Sequence, residues 1–102
     1  MYETLDDLLA TYERLKTRGI LPYWTINHGP SISFYYADPD KNHLELQVDT
    51  FKTREEALDF IEKHFPTNPI GVNVDVEKLI VAYRSGASFE EIAKQSYQGE
   101  FL

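Results

Sequence analysis

Five polar side chains in the first half of the chain have the types and spacing for proton transfer or metal binding: His28, Tyr35, His43, Glu45 and Gln47. Imidazole and carboxylate groups exchange protons near neutral pH and ligate metals, while a phenol donates one hydrogen bond and orients what it touches. Glu45 stands between Leu44 and Leu46, where a carboxylate is costly unless it is exposed, paired or bound to a metal. Pattern alone favours an exposed Glu on the solvent face of a half-buried sheet. His43 is two residues away, so on one strand both would point the same way and form two legs of a metal site. Two ligands without a third are a weak signal, and an ordinary surface His is the favoured reading. His28 precedes Gly29, as turn residues often do, and Tyr35 suits sheet packing. His64 falls near the end of a helical stretch, where the helix dipole explains it.

The elements that must carry these groups are legible from periodicity. Thr4 to Arg18 predicts a helix, with Leu5, Leu8, Leu9, Tyr12 and Leu15 as one stripe, Thr4 as its cap and Gly19 as its stop. Ile20 to Asn27 reads as a strand with Pro22 near its start. Ser31 to Ala37 and His43 to Asp49 read as two more strands, joined by a turn over Asp38-Pro39-Asp40-Lys41-Asn42. On the last strand Leu44, Leu46 and Val48 point one way, and His43, Glu45 and Gln47 the other. The remainder reads as helical. Thr53 and Ser88 each open a capping box, Asp75 caps a helix running to Ser85, and Pro66 to Gly71 is a break. Ala57, Phe60, Ile61 and His64 share one face of the first of these helices. The order helix, three strands, helices gives an α+β class. Three strands on one helix leave two edges and one face uncovered, and the polar set belongs on that open face.

Composition narrows the function classes. With 102 residues the chain is a single small domain, and 42% hydrophobic residues place it among globular proteins, not disordered ones. A net charge of −7 disfavours nucleic acid and anionic membranes as partners. The absence of Cys excludes disulfides, thiolate metal sites and Cys nucleophiles. No apolar run is long enough to span a bilayer and the acidic N-terminus lacks a signal-peptide pattern, so a cytoplasmic protein is expected. No Gly-rich phosphate loop, nucleophile elbow or His-Glu-x-x-His motif is present.

Asn27-His28-Gly29 and the hairpin from Ser33 to Leu46 resemble the metal-site hairpin of the vicinal-oxygen-chelate superfamily, the glyoxalase, bleomycin-resistance and extradiol-dioxygenase group. Asp38-Pro39-Asp40-Lys41-Asn42-His43-Leu44-Glu45 is similar to its Asp-Pro-x-Gly-Asn-x-x-Glu pattern, whose Glu is a metal ligand. The likeness is best from about Leu5 to Phe51; Asp49-x-Phe51 and Asn68-Pro69-Ile70-Gly71-Val72 resemble the branch that cleaves catechol-type rings. The resemblance implies a partial βαβββ module over residues 1–51 and a helical extension over 52–102. It implies iron(II)-dependent extradiol cleavage, with Fe(II) or Mn(II) held by Glu45; His43, from its spacing alone, is a second-choice ligand. His28 would handle protons and Tyr35 would hydrogen-bond a bound catecholate. A small aromatic diol is the expected ligand and a homodimer through the sheet the expected assembly. Two departures stand out. Lys41 replaces the Gly before Asn42, a steric cost if that position needs a positive φ. The strand that brings the family's first metal His has no counterpart here. The site would then be completed by other chain, or rebuilt between copies, or lost, leaving a non-catalytic ligand-binding or dimerisation module without metal.

Overall fold

In the computed structural model the described residues are 2–40, 42–51, 53–64 and 70–102, with His64 given by its backbone. The chain runs α1 (Leu5–Thr17), β1 (Trp24–Asn27), β2 (Ser31–Ala37), β3 (His43–Asp49), α2 (Arg54–His64), β4 (Val72–Asn73), α3 (Val76–Arg84) and α4 (Phe89–Tyr97). The strands form a four-stranded sheet in the order β3-β2-β1-β4. Every neighbouring pair is antiparallel. The class is α+β, as the pattern of elements predicts.

Local chemistry explains most boundaries. The Thr4 side chain accepts from the Asp7 amide and starts α1, and Gly19, at φ 78°, ends its last turn. Asp75 accepts from two amides of α3, and Ser88 and Glu91 complete a reciprocal capping box on α4. The β2–β3 turn is tied by Asp38, whose carboxylate accepts from the Asn42 amide at 2.7 Å and from its side chain at 3.1 Å. These bonds hold the Asp38 carboxyl below the usual carboxylate range. Lys41, whose effect on this turn the sequence raised, lies outside the described residues.

Two expectations need correction. The first strand is half as long as the pattern from Ile20 suggested: it starts at Trp24, because Pro22 cannot donate to the ladder. The segment after β3 is not wholly helical, since Val72–Asn73 adds a short strand to β1, with Asn27 opposite Val72 and Ile26 opposite Asn73. That strand covers one edge expected to be bare. On the other edge, Tyr2 makes a single parallel bridge to Val48 and donates its amide to the Gln47 carbonyl at 2.8 Å.

One sheet face carries the core. Ile32, Phe34 and Tyr36 of β2 and Val48 of β3 pack with Leu5, Leu8 and Tyr12 of α1, and with Leu79 and Ile92 of α3 and α4. Phe34 is fully buried and meets the Tyr12 ring edge-on, 5.8 Å between centroids; a side chain of that size contributes roughly 1.5–3 kcal/mol by burial. The opposite face bears Trp24, Tyr35 and Glu45. No described helix is long and apolar enough to cross a membrane.

Candidate functional site

The site is built on the β1–β2 turn and the middle of the hairpin. The turn is closed by Asn27, a fully buried amide at the end of β1. Its Oδ1 accepts from the Gly29 amide at 2.6 Å, and its Nδ2 donates to the Ala93 carbonyl at 2.9 Å and to Ser96 Oγ at 2.6 Å. Gly29 takes φ 97°, a conformation that favours glycine. A Cβ there would collide with the Phe60 ring of α2. His28 is therefore held by both sides of the turn, and its own amide donates to the Ser31 carbonyl at 2.8 Å.

From that anchor a chain of side-chain bonds crosses the sheet. His28 Nδ1 lies 2.7 Å from the Ile70 carbonyl and Nε2 lies 3.0 Å from Tyr35 Oη. Tyr35 Oη is 3.2 Å from Glu45 Oε2. Register accounts for the last step, since Tyr35 and Glu45 are cross-strand partners and so share a face. Trp24, the partner of Tyr35 on the other side, stacks on it with 5.0 Å between centroids and 22° between planes. His28 stands edge-on to both rings, at 6.1 Å from Trp24 and 6.2 Å from Tyr35. Trp24 is itself fixed by a 2.9 Å bond from Nε1 to Asn73 Oδ1 on β4. Ile26 and Ser33, also on this face, are buried. The face is covered there, and its Glu45 end meets solvent.

Proton counting constrains the chemistry. A carbonyl only accepts, so His28 Nδ1 carries a hydrogen. In the neutral ring Nε2 is then a lone pair that competes with Glu45 for the single phenolic proton. In the imidazolium form Nε2 donates to Tyr35 Oη, and Tyr35 donates to Glu45. Burial, followed by the charge and hydrogen bond of Glu45, pushes the Tyr35 phenol above its usual range, so Tyr35 keeps its proton.

The structure thus joins His28, Tyr35 and Glu45 in one hydrogen-bonded path. His43 shares their face but stands apart, its Nδ1 3.0 Å from Tyr23 Oη and its ring 5.6 Å from the Tyr23 ring. Gln47 sits opposite Ser33, farther along the same face. The His64 side chain lies outside the described residues. Trp24 and Asn73 escaped the reading of the sequence, and of these Trp24 carried a signal, as an aromatic on the strand flanking Tyr35. Asn27 and Ile70 were named there inside motifs of resemblance, with no role assigned to the buried amide or to the carbonyl.

The fit of an iron site can be judged from the donors. Among the described residues no group of three His, Asp or Glu side chains could hold a metal ion. Glu45 is one carboxylate, already bonded to Tyr35, and both nitrogens of His28 are engaged. These residues do not make a complete iron site.

No family model and no solved structure matches the chain. Two curated relatives do, both from Rhodococcus globerulus. Biphenyl-2,3-diol 1,2-dioxygenase 2 is 39% identical over 97 residues, covering 94% of this chain and 51% of the relative. Biphenyl-2,3-diol 1,2-dioxygenase 3 is 36% identical over 97 residues, with the same coverage of 94% and 51%. The chain spans about half the length of the curated relatives it matches, and it is similar to that half almost from end to end.

Proposed function

We propose that the chain is an extradiol-dioxygenase-like module of the vicinal-oxygen-chelate superfamily that receives a catechol-type diol on the Trp24–Tyr35–Glu45 face. The observation that carries this reading is the run of close polar contacts from the Ile70 carbonyl through His28 and Tyr35 to Glu45. It occurs in a chain 39% and 36% identical to proteins named as diol dioxygenases.

A diol presents two adjacent O–H donors. One donates to Tyr35 Oη as Tyr35 passes its own proton to His28 Nε2. The net result is one proton moved from the diol to His28, leaving a diol monoanion beside an imidazolium. The positive ring, its Nδ1–H on the Ile70 carbonyl, offsets the new negative charge. Stacking on Trp24 keeps the Tyr35 ring in place during the transfer. The second hydroxyl lies toward the Glu45 carboxylate, which accepts from it.

Fe(II) or Mn(II) chemistry belongs to this reading only with ligands beyond Glu45, from another segment or from a second copy across the outer edge of β3. The donor count among the described residues favours a second reading, a diol-binding or dimerisation module without metal.

Trp24 is the single tryptophan of the sequence, so its fluorescence reports on this face. Catechol or biphenyl-2,3-diol should quench it saturably. Tyr35→Phe or Glu45→Ala should weaken binding roughly 10- to 100-fold, the loss of a charge-assisted hydrogen bond. Iron-dependent oxygen uptake by the purified chain separates the enzyme from the binding module. Absence of saturable quenching refutes both as diol proteins.

A further inference from the structure

We infer that the Ile70 backbone carbonyl, pressed against β1 by Gly71, selects the tautomer of His28, making Gly71 a positioning residue for the imidazole. The consequence for diol chemistry rests on the function proposed above; the tautomer itself does not.

The two nitrogens of a neutral imidazole are set by whatever the other one binds. His28 Nδ1 sits 2.7 Å from the Ile70 oxygen, an acceptor that cannot donate. Nδ1 must therefore hold the ring proton, and Nε2 faces Tyr35 Oη at 3.0 Å as a lone pair. Tyr35 cannot make this selection, because a hydroxyl both donates and accepts and would suit either tautomer. The asymmetry comes from Ile70. With the tautomers exchanged, Nε2 would carry the hydrogen and could no longer accept from the phenol, and two acceptors would face each other at Nδ1 and the carbonyl.

The carbonyl reaches His28 through the backbone alone. The Ile70 side chain is 61% exposed, so it is not what docks this residue. The next residue, Gly71, has φ 126°, a region that L side chains rarely adopt. A Cβ on Gly71 would press into the Asn27 carbonyl and come within 2.9 Å of His28 Cα. Both obstacles are backbone, at the end of β1 and the start of the turn after it, and cannot swing aside as a side chain would. Gly71 thus lets the incoming strand lie flat on β1. One residue later Val72 pairs with Asn27, and that pairing fixes Ile70 over the imidazole. A strand of two residues is a weak structural gain; what it delivers is a carbonyl at the ring.

The test is a two-bond ¹H–¹⁵N correlation spectrum of the histidine rings, taken without diol and at a pH where His28 is neutral. The chain has three His, so His43→Gln and His64→Gln variants assign the His28 signals. The wild type should show one protonated Nδ1 and one unprotonated Nε2. Tyr35→Phe should keep that pattern, since Ile70 remains. Gly71→Ala should lose it and give a mixture of tautomers, with the backbone spectrum confirming the fold. An Nε2–H ring in the wild type overturns the inference. So does loss of the preference in folded Tyr35→Phe, or its persistence in folded Gly71→Ala. If Gly71→Ala does not fold, the wild type and Tyr35→Phe decide by themselves. A chain with the Nδ1–H tautomer that binds no diol refutes the proposed function and leaves the role of Gly71 standing.

Discussion

Replacing Asn27 by Ala tests whether the turn that carries His28 is held by one buried amide. Three hydrogen bonds disappear, at 2.6, 2.9 and 2.6 Å. The helix side recovers part of the loss, because Ser96 Oγ already donates to the Ala93 carbonyl at 3.1 Å. The Gly29 amide has no such alternative in its bonded set, and Gly29 is buried. An orphaned buried donor costs about 1–3 kcal/mol, and the space vacated by the amide adds on the order of 1 kcal/mol. The sum, roughly 2–4 kcal/mol, lowers the melting temperature of a domain this size by about 10–20 °C. Circular dichroism melts and urea titrations followed by Trp24 fluorescence measure it. Asn27→Asp sharpens the test. It keeps an acceptor for Gly29 but points an oxygen at the Ala93 carbonyl, so it should match Ala at neutral pH and recover in acid, where a protonated carboxyl donates again. A fall of less than about 3 °C for Asn27→Ala would refute the reasoning, since it corresponds to less than ~1 kcal/mol.

Gly29→Ala should lower the urea midpoint by the equivalent of about 1–2 kcal/mol from the positive φ alone, and more from the collision with Phe60. Phe60 meets Phe51 at a tilt and Tyr97 edge-on, at 5.4 and 5.0 Å between centroids, so faster amide exchange in α2 should accompany the loss. The Tyr36 hydroxyl is buried with no hydrogen-bond partner among the described residues, and burial pushes its phenol up to about 12 from 10.0. The folded state therefore favours the protonated phenol. This contribution is fully present below pH 10.0 and is lost as the pH rises through about 12. Tyr36→Phe should raise stability by about 1 kcal/mol at neutral pH and flatten the alkaline limb of the unfolding curve. A Tyr36→Phe variant that is less stable and keeps the alkaline limb would contradict this.

What the sequence made legible was local. Thr4, Asp75 and Ser88 cap helices by bonding amides two or three residues away, so each cap and its helix are written in one short window. The hairpin from Ser31 to Asp49 was readable for a similar reason: alternation sets the faces, and Asp38 ties its own turn. That alternation also put Tyr35 and Glu45 side by side. Val72–Asn73 was not readable, because two residues between breakers have no period and their strand character comes from β1. Asn27 looked like the polar end of a strand; its burial depends on α4, more than sixty residues away. Ile70 stood in the sequence only as part of a motif of resemblance; its role was not legible, since its contribution is a carbonyl that every residue possesses. Ile61 shows the limit of periodicity in the other direction: it falls on the apolar stripe of α2 yet is 43% exposed.

The arrangement of hydrogens says which ligands suit this face. With His28 neutral, one phenolic proton serves two acceptors, His28 Nε2 and Glu45 Oε2. Whichever Tyr35 does not satisfy turns a lone pair outward. A ligand that donates hydrogen bonds fills that gap, whereas a phosphate or carboxylate would set acceptor against acceptor beside an anionic side chain. The net charge of −7 pushes the same way by repelling anions before they arrive. With His28 cationic, the chain Nε2–H to Oη to Oε2 is complete and the gap closes. A proton and a donor ligand are thus alternatives at one place, and the ligand that answers best brings donors, a flat ring to lie near Trp24, and a proton that it can give up. A catechol-type diol, the ligand proposed above, has all three.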